Sequence, residues 1–75
     1  MGESPAADQP DGRYRAAIRP GQRVAVIRKE DQRTGHLTRG TVAQILTRSS
    51  SHPHGIKVQL TDGQVGRVRA IESGP

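Results

Sequence analysis

Two kinds of side chain in this sequence could do chemistry: three histidines, and a spread of arginines and lysines. His52-Pro53-His54 follows Ser49-Ser50-Ser51, so the residue types of a hydrolase share one short stretch. A nucleophile needs a positioned base, and the base needs an orienting acid and an apolar pocket. Neither is evident. Glu30 and Asp31 are adjacent, Asp62 and Glu72 stand far apart, and no pair has a spacing that demands acid–base work. The chain is therefore expected not to be an enzyme. His36, His52 and His54 could offer three nitrogens to zinc. A His-x-His in an exposed loop serves equally well to hydrogen-bond loop backbone, and no second ligand cluster accompanies it. No metal or cofactor is expected, and whether the three histidines gather is left open.

The basic residues say more. Twelve Lys and Arg against seven Asp and Glu give a net charge of +5 and a pI near 11.1. All twelve fall after residue 12, and from Ile18 to Glu72 ten basic residues stand against four acidic ones. Arginine suits phosphate because its planar fork donates in pairs. A small basic domain of this kind favours nucleic acid or an RNA-rich surface as partner. The candidates are Arg33 and Arg39 in one polar stretch, Arg28 and Lys29 at its entry, Arg48 in a second stretch, Lys57 on a strand, and Arg67 and Arg69 on the next. Each also has a plainer reading as a solvating residue on a strand's outer face.

Four strand-like runs must position these groups. Arg23 to Arg28 alternates in the manner of a half-buried strand, with Ile27 suggesting a partly covered outer face. A polar loop from Asp31 to Gly40 follows, in which Asp31, Gln32, Thr34 and Gly35 are candidate binding residues. Asp31 is expected to brace this loop through the backbone of Thr34 and Gly35. The second strand, Arg39 to Thr47, lacks a clean period of two and is expected to carry a bulge or bend. A second polar loop to Gly55 contains His52 and His54, again binding candidates. Ile56 to Leu60 alternates strictly, Thr61-Asp62-Gly63-Gln64 reads as a tight Asp-Gly hairpin, and Val65 to Arg69 is the fourth strand, with Gly66 marking a bulge or bend. If the registers hold, Lys57, Arg67 and Arg69 form one patch opposite the core, and the N–H groups of Gly35, Gly40 and Gly55 are available to cradle phosphate oxygens.

Residues 1–12 lack a periodic apolar pattern and are expected to be a disordered tail. Residues 13–72 make a single domain, entered by a helical turn that docks Tyr14 or Ile18, and residues 73–75 are expected to fray. The core is expected to comprise Ile18, Val24, Val26, Val42, Ile45, Ile56, Val58, Leu60, Val65, Val68 and Ile71. Four short strands with so little large filling imply an all-β fold, a small antiparallel SH3-like or KOW-like barrel of four to five strands. An OB-type barrel is the alternative.

Several classes of partner are disfavoured. Tyr14 is the only aromatic residue, so neither a proline-helix groove nor an aromatic cage is available, nor a platform for stacked bases. There is no cysteine, which fits a reducing compartment. No apolar run approaches the roughly 18 residues of a membrane span, and the N-terminus lacks a signal peptide's apolar core. The expectation is a cytoplasmic monomer with no membrane partner. It would contact RNA or a ribonucleoprotein surface through phosphate groups, the alternative being an adaptor for an acidic protein.

From Ile18 to Ile71 the chain also resembles the YwbE-like family of small bacterial proteins. The resemblance runs through Ile18-Arg19-Pro20-Gly21, Lys29-Glu30-Asp31-Gln32-Arg33-Thr34-Gly35 and Leu37-Thr38-Arg39-Gly40. It continues through His52-Pro53-His54-Gly55-Ile56-Lys57-Val58 and Leu60-Thr61-Asp62-Gly63-Gln64-Val65-Gly66-Arg67-Val68. It spans both loops and the hairpin, about three quarters of the chain. It implies a compact domain and brings no activity, ligand or cofactor with it.

Overall fold

The structure, a computed structural model, describes residues 12–73. The expected tail, apart from Gly12, and the last two residues lie outside the described residues. Four antiparallel strands close into a barrel in the order β1-β2-β3-β4: β1 (Arg23–Ile27), β2 (Thr38–Ile45), β3 (Lys57–Leu60) and β4 (Val65–Ser73). The all-β barrel read from the sequence is the fold observed, with the lower of the expected strand numbers.

Closure depends on two long strands that each serve two short partners. β2 pairs β1 through Thr38 to Thr41 and β3 through Val42 to Ile45. A register shift between Val42 and Gln44 marks the change of partner, so the bulge expected from the broken period is present. β4 pairs β3 through Val65 to Arg67 and β1 from Arg67 onward. It therefore runs to Ser73 rather than ending at Arg69, because β1 needs a partner along its whole length.

Ile18, Val24, Val26, Val42, Ile56, Val58, Leu60 and Val68 form one buried cluster, with Ile45 and Ile71 packed against it. Val65, expected in the core, is only half-buried, since it lies at the mouth of the hairpin where the strand pair opens to solvent. Ala25 and Ile27 are buried although they lie outside that cluster. Both belong to the outer face of β1, which is covered. Ala25 stands opposite Arg39 on one side and Ala70 on the other. The Arg39–Glu72 ion pair (2.7 Å) joins β2 to β4 across β1 and so passes over Ala25.

The entry segment is tied along the second polar loop. Gly12 carbonyl accepts from Ile56 N–H, Arg13 carbonyl from His52 N–H, and Arg15 N–H donates to Ser50 carbonyl. Gly12, assigned to the tail from sequence, is thus buried in the fold. A 3₁₀ turn at Arg15–Ala17 then delivers Ile18 to the core, while Tyr14 stays 52% exposed. Gln22, the one buried polar side chain among the described residues, accepts from Arg19 N–H and donates to Ala17 carbonyl, so its burial leaves no amide unsatisfied.

Two glycine readings gain detail. The β3–β4 connection is a three-residue loop rather than a two-residue turn. Gly63 N–H donates to Leu60 carbonyl and Leu60 N–H to Gln64 carbonyl. Among residues 61–63 only Gly63 has positive φ (93°), which is a type I turn closed by a left-handed glycine. Gly66 carries no register shift. A Cβ there would lie 2.8 Å from Val26 Cγ2 and 2.9 Å from Ile27 carbonyl oxygen, so glycine is needed for the close crossing of β4 over the end of β1.

Candidate nucleic-acid interface

The β3–β4 ladder places Lys57 directly opposite Arg67. Arg69, two residues further on and exposed, is the extra residue of a β-bulge, since Val68 pairs Val26 and Ala70 pairs Ala25, while Val58 and Val68 point inward. Like charges directly opposite on a sheet are unfavourable. Among the described residues no carboxylate lies within ion-pairing distance of Lys57, Arg67 or Arg69. The sequence-derived patch is therefore a real juxtaposition, held against its own repulsion.

Arg67 occupies the position where β4 leaves β3 for β1, pairing Lys57 on one side and Ile27 on the other. Its Nη1 donates to Gly55 carbonyl at 3.0 Å, which fixes the half-buried guanidinium at the edge of the second loop. Two clefts meet at this residue. One is lined by Arg13, His54, Gly55 and Arg69, the other by Lys29, Glu30, Lys57 and Gly66. Ile27, Gln32 and Arg67 border both. Lys29 was among the candidates read from sequence, whereas Arg13 was not. The alternation of Arg13-Tyr14-Arg15 is the only local sign of a strand-like segment there, and its partner lies far along the chain.

The other candidates are placed elsewhere. Arg33 and Arg48 are exposed and line neither cleft. Arg39 is committed to Glu72 on β1's outer face. Thr38 to Gly40 are part of β2, so the first loop is shorter than expected. Its brace is also different from the one expected. Gly35 N–H (2.8 Å) and Thr34 Oγ1 (3.2 Å) both donate to the backbone carbonyl of Asp31. The Asp31 carboxylate instead accepts from Arg28 Nε at 3.2 Å. Arg28 also meets Glu30 (2.8 Å) and donates to Gln64 Oε1 (2.8 Å), clamping the first loop to the β3–β4 turn. Gln64 in turn holds Asp62 through its side-chain and backbone N–H groups, which keeps that carboxyl below its usual range. All four carboxylates of the described residues are thus engaged.

The expected glycine cradle is not formed by the N–H groups of Gly35 and Gly55, since these donate to Asp31 and His52 carbonyls. Gly40 lies inside β2 instead of a loop, its bare Cα facing Leu60. In the second loop His54 N–H donates to His52 Nδ1 (3.1 Å), and the two rings lie 5.7 Å apart. Partial desolvation, then the charge of Arg67, then His54, push His52 below the ordinary imidazole range. His36 lies in the first loop, and no group of three His, Cys, Asp or Glu among the described residues could hold a metal ion. No helix among them is long and apolar enough to cross a membrane.

A family described as an uncharacterized conserved protein (DUF2196) matches residues 11–71. The chain belongs to this family. It is also similar to YwbE of Bacillus subtilis (strain 168), described as an uncharacterized protein, at 54% identity over 63 residues. That match covers 84% of this chain and 97% of YwbE. The YwbE-like resemblance read from the residues is therefore borne out. No solved structure matches the chain.

Proposed function

We propose that the protein is a small binding module for RNA or a ribonucleoprotein surface, acting in the cytoplasm as a monomer, by contact rather than catalysis. The observation that carries this reading is Lys57 facing Arg67, with Arg69 beside them and no carboxylate among the described residues within ion-pairing distance. A protein that needed only solubility would gain by placing an acid in this row. An anionic partner turns the repulsion into binding energy, and arginine's fork favours phosphate. Arg33 and Arg48 extend the positive surface from the loops. The lone, peripheral Tyr14 offers no stacking platform, so contact falls on the phosphate backbone rather than the bases.

Such contact is salt-dependent because each neutralised phosphate releases counterions. Gel-shift titrations with bulk RNA and sedimentation with ribosomes should give association at low salt that falls steeply as salt rises. If wild-type protein shifts no RNA at low salt and sediments free of ribosomes, the reading is wrong. A pull-down that survives nuclease treatment would move the assignment to an acidic protein partner.

A further inference from the structure

Of the cations on the outer face of β3 and β4, Arg67 differs from Lys57 and Arg69 in being half-buried and held in place. Removing a guanidinium from water is costly unless its donors are satisfied. Among the described residues Arg67 has only the Gly55 carbonyl as partner, through Nη1, and its five-donor guanidinium borders both clefts. Beside it the cleft toward His54 and Arg69 encloses about 730 Å³, within the roughly 300–1,000 Å³ of sites for small organic ligands. Its lining combines basic donors with the apolar floor of Ile27. A lone ion would need only the donors. A phosphodiester with its sugar would use both the donors and the floor.

We infer that this cleft seats one phosphodiester unit of a bound strand. Arg67, positioned by Gly55, and Arg69 donate to the non-bridging oxygens, with His54 at the rim and the sugar lying against Ile27. Immobilising Arg67 before the ligand arrives lowers the entropy lost on binding. This site deepens the RNA reading and rests on it for the identity of the strand.

The test pairs inorganic phosphate with an RNA oligonucleotide, both read on full-length 15N-labelled protein at low ionic strength. Phosphate should shift the Gly55 amide and the Arg67 and Arg69 Nε–H signals, and leave Arg33 and Arg48 unmoved. Arg67→Gln and Arg69→Gln should each weaken RNA binding by roughly tenfold and reduce the salt slope by about one. The same spectra report whether each variant is folded, and Arg69, being exposed, can be replaced without touching the Gly55 contact. If RNA binds both variants as tightly as wild type and phosphate leaves the cleft signals still, the site is wrong while the RNA reading stands. Shifts spread evenly over all arginines would also overturn it. If wild type binds no RNA yet phosphate shifts the cleft signals alone, the phosphate seat stands and the RNA reading falls.

Discussion

Arg28 and Arg39 are matched by acids, whereas Lys57, Arg67 and Arg69 are not, and this contrast separates two uses of one chemistry. Residues 12–73 contain twelve basic and four acidic side chains, a difference of eight. Three of those acids close on two arginines: Glu30 and Asp31 on Arg28, Glu72 on Arg39. The fourth, Asp62, is held by Gln64. In both matched cases the arginine spans separate elements, tying a loop to a hairpin or roofing a strand. The unmatched cations meet no acid among the described residues, and only Arg67 reaches another element, through a neutral carbonyl. Charge placement thus distinguishes arginines that hold the barrel from arginines presented to a partner.

Arg28 gives the largest test of the holding class. Arg28→Met would strip the half-buried Asp31 carboxylate of its partner and release Gln64. The expected loss is about 1–3 kcal/mol in denaturant unfolding, since hydrogen bonds to charged groups are worth more than neutral ones. Asp31→Ala should cost less than Arg28→Met, because Glu30 and Gln64 remain on Arg28. RNA affinity should change little in either variant. If Arg28→Met is as stable as wild type, or loses RNA binding as Arg67→Gln does, the two classes collapse into one.

Arg39→Gln comes next. Its ion pair with Glu72 is partly exposed, with side chains 57% and 32% accessible. Pairs of that kind contribute about 0.2–1 kcal/mol. The chain exposes Ala25 when the bridge is lost, so an effect at the upper end is expected, with salt narrowing the difference. Glu72→Gln should match it in stability and strengthen RNA binding slightly, by freeing a cation. A fall in RNA binding with Arg39→Gln alone would move Arg39 into the partner-facing class.

The barrel was legible in the sequence because it depends on local patterns. Ile56 to Leu60 shows its buried face by alternation, and Pro20-Gly21 and Asp62-Gly63 show their turns by residue type. The Lys57–Arg67 pair followed from the same alternation. What could not be read depends on chain segments meeting at long range. Ala25 looks like a weak core residue until Arg39 and Glu72 close over it. Asp31 looks like the first loop's brace because its local partners are visible, whereas Arg28 finds Gln64 only when the hairpin folds back. Arg13 joins the cleft only through the pairing of residues 12–15 with the second loop. The clefts themselves exist because β4 changes partner at Arg67, which no local pattern encodes.

Lys57→Gln probes the unmatched class from the opposite side, with a smaller effect of reversed sign. Removing one of two like charges opposed on the ladder should raise stability by about 0.2–1 kcal/mol, while RNA binding weakens and the salt slope falls by about one. Gain in one assay with loss in the other is the signature of a side chain kept for a partner. A variant that loses stability and retains RNA binding would make Lys57 a structural residue.

The smallest effect is a pH dependence, and its sign differs between the free and bound protein. His52 sits below the ordinary imidazole range through partial desolvation, Arg67 and His54. Between about pH 7.5 and 5.5 the unfolded chain therefore binds more protons than the folded one, so stability falls as pH falls through the unfolded-state value. His52→Gln should flatten that slope, and Arg67→Gln should flatten it in part by removing one cause. A phosphate seated beside Arg67 offsets the positive field and makes His52 easier to protonate. RNA should therefore bind more tightly at the acid end of the same window, where the free protein is less stable. The gain should be small, and absent in His52→Gln. If RNA affinity in wild type falls with pH in parallel with stability, the strand does not lie beside Arg67, and the unmatched row must meet its partner elsewhere.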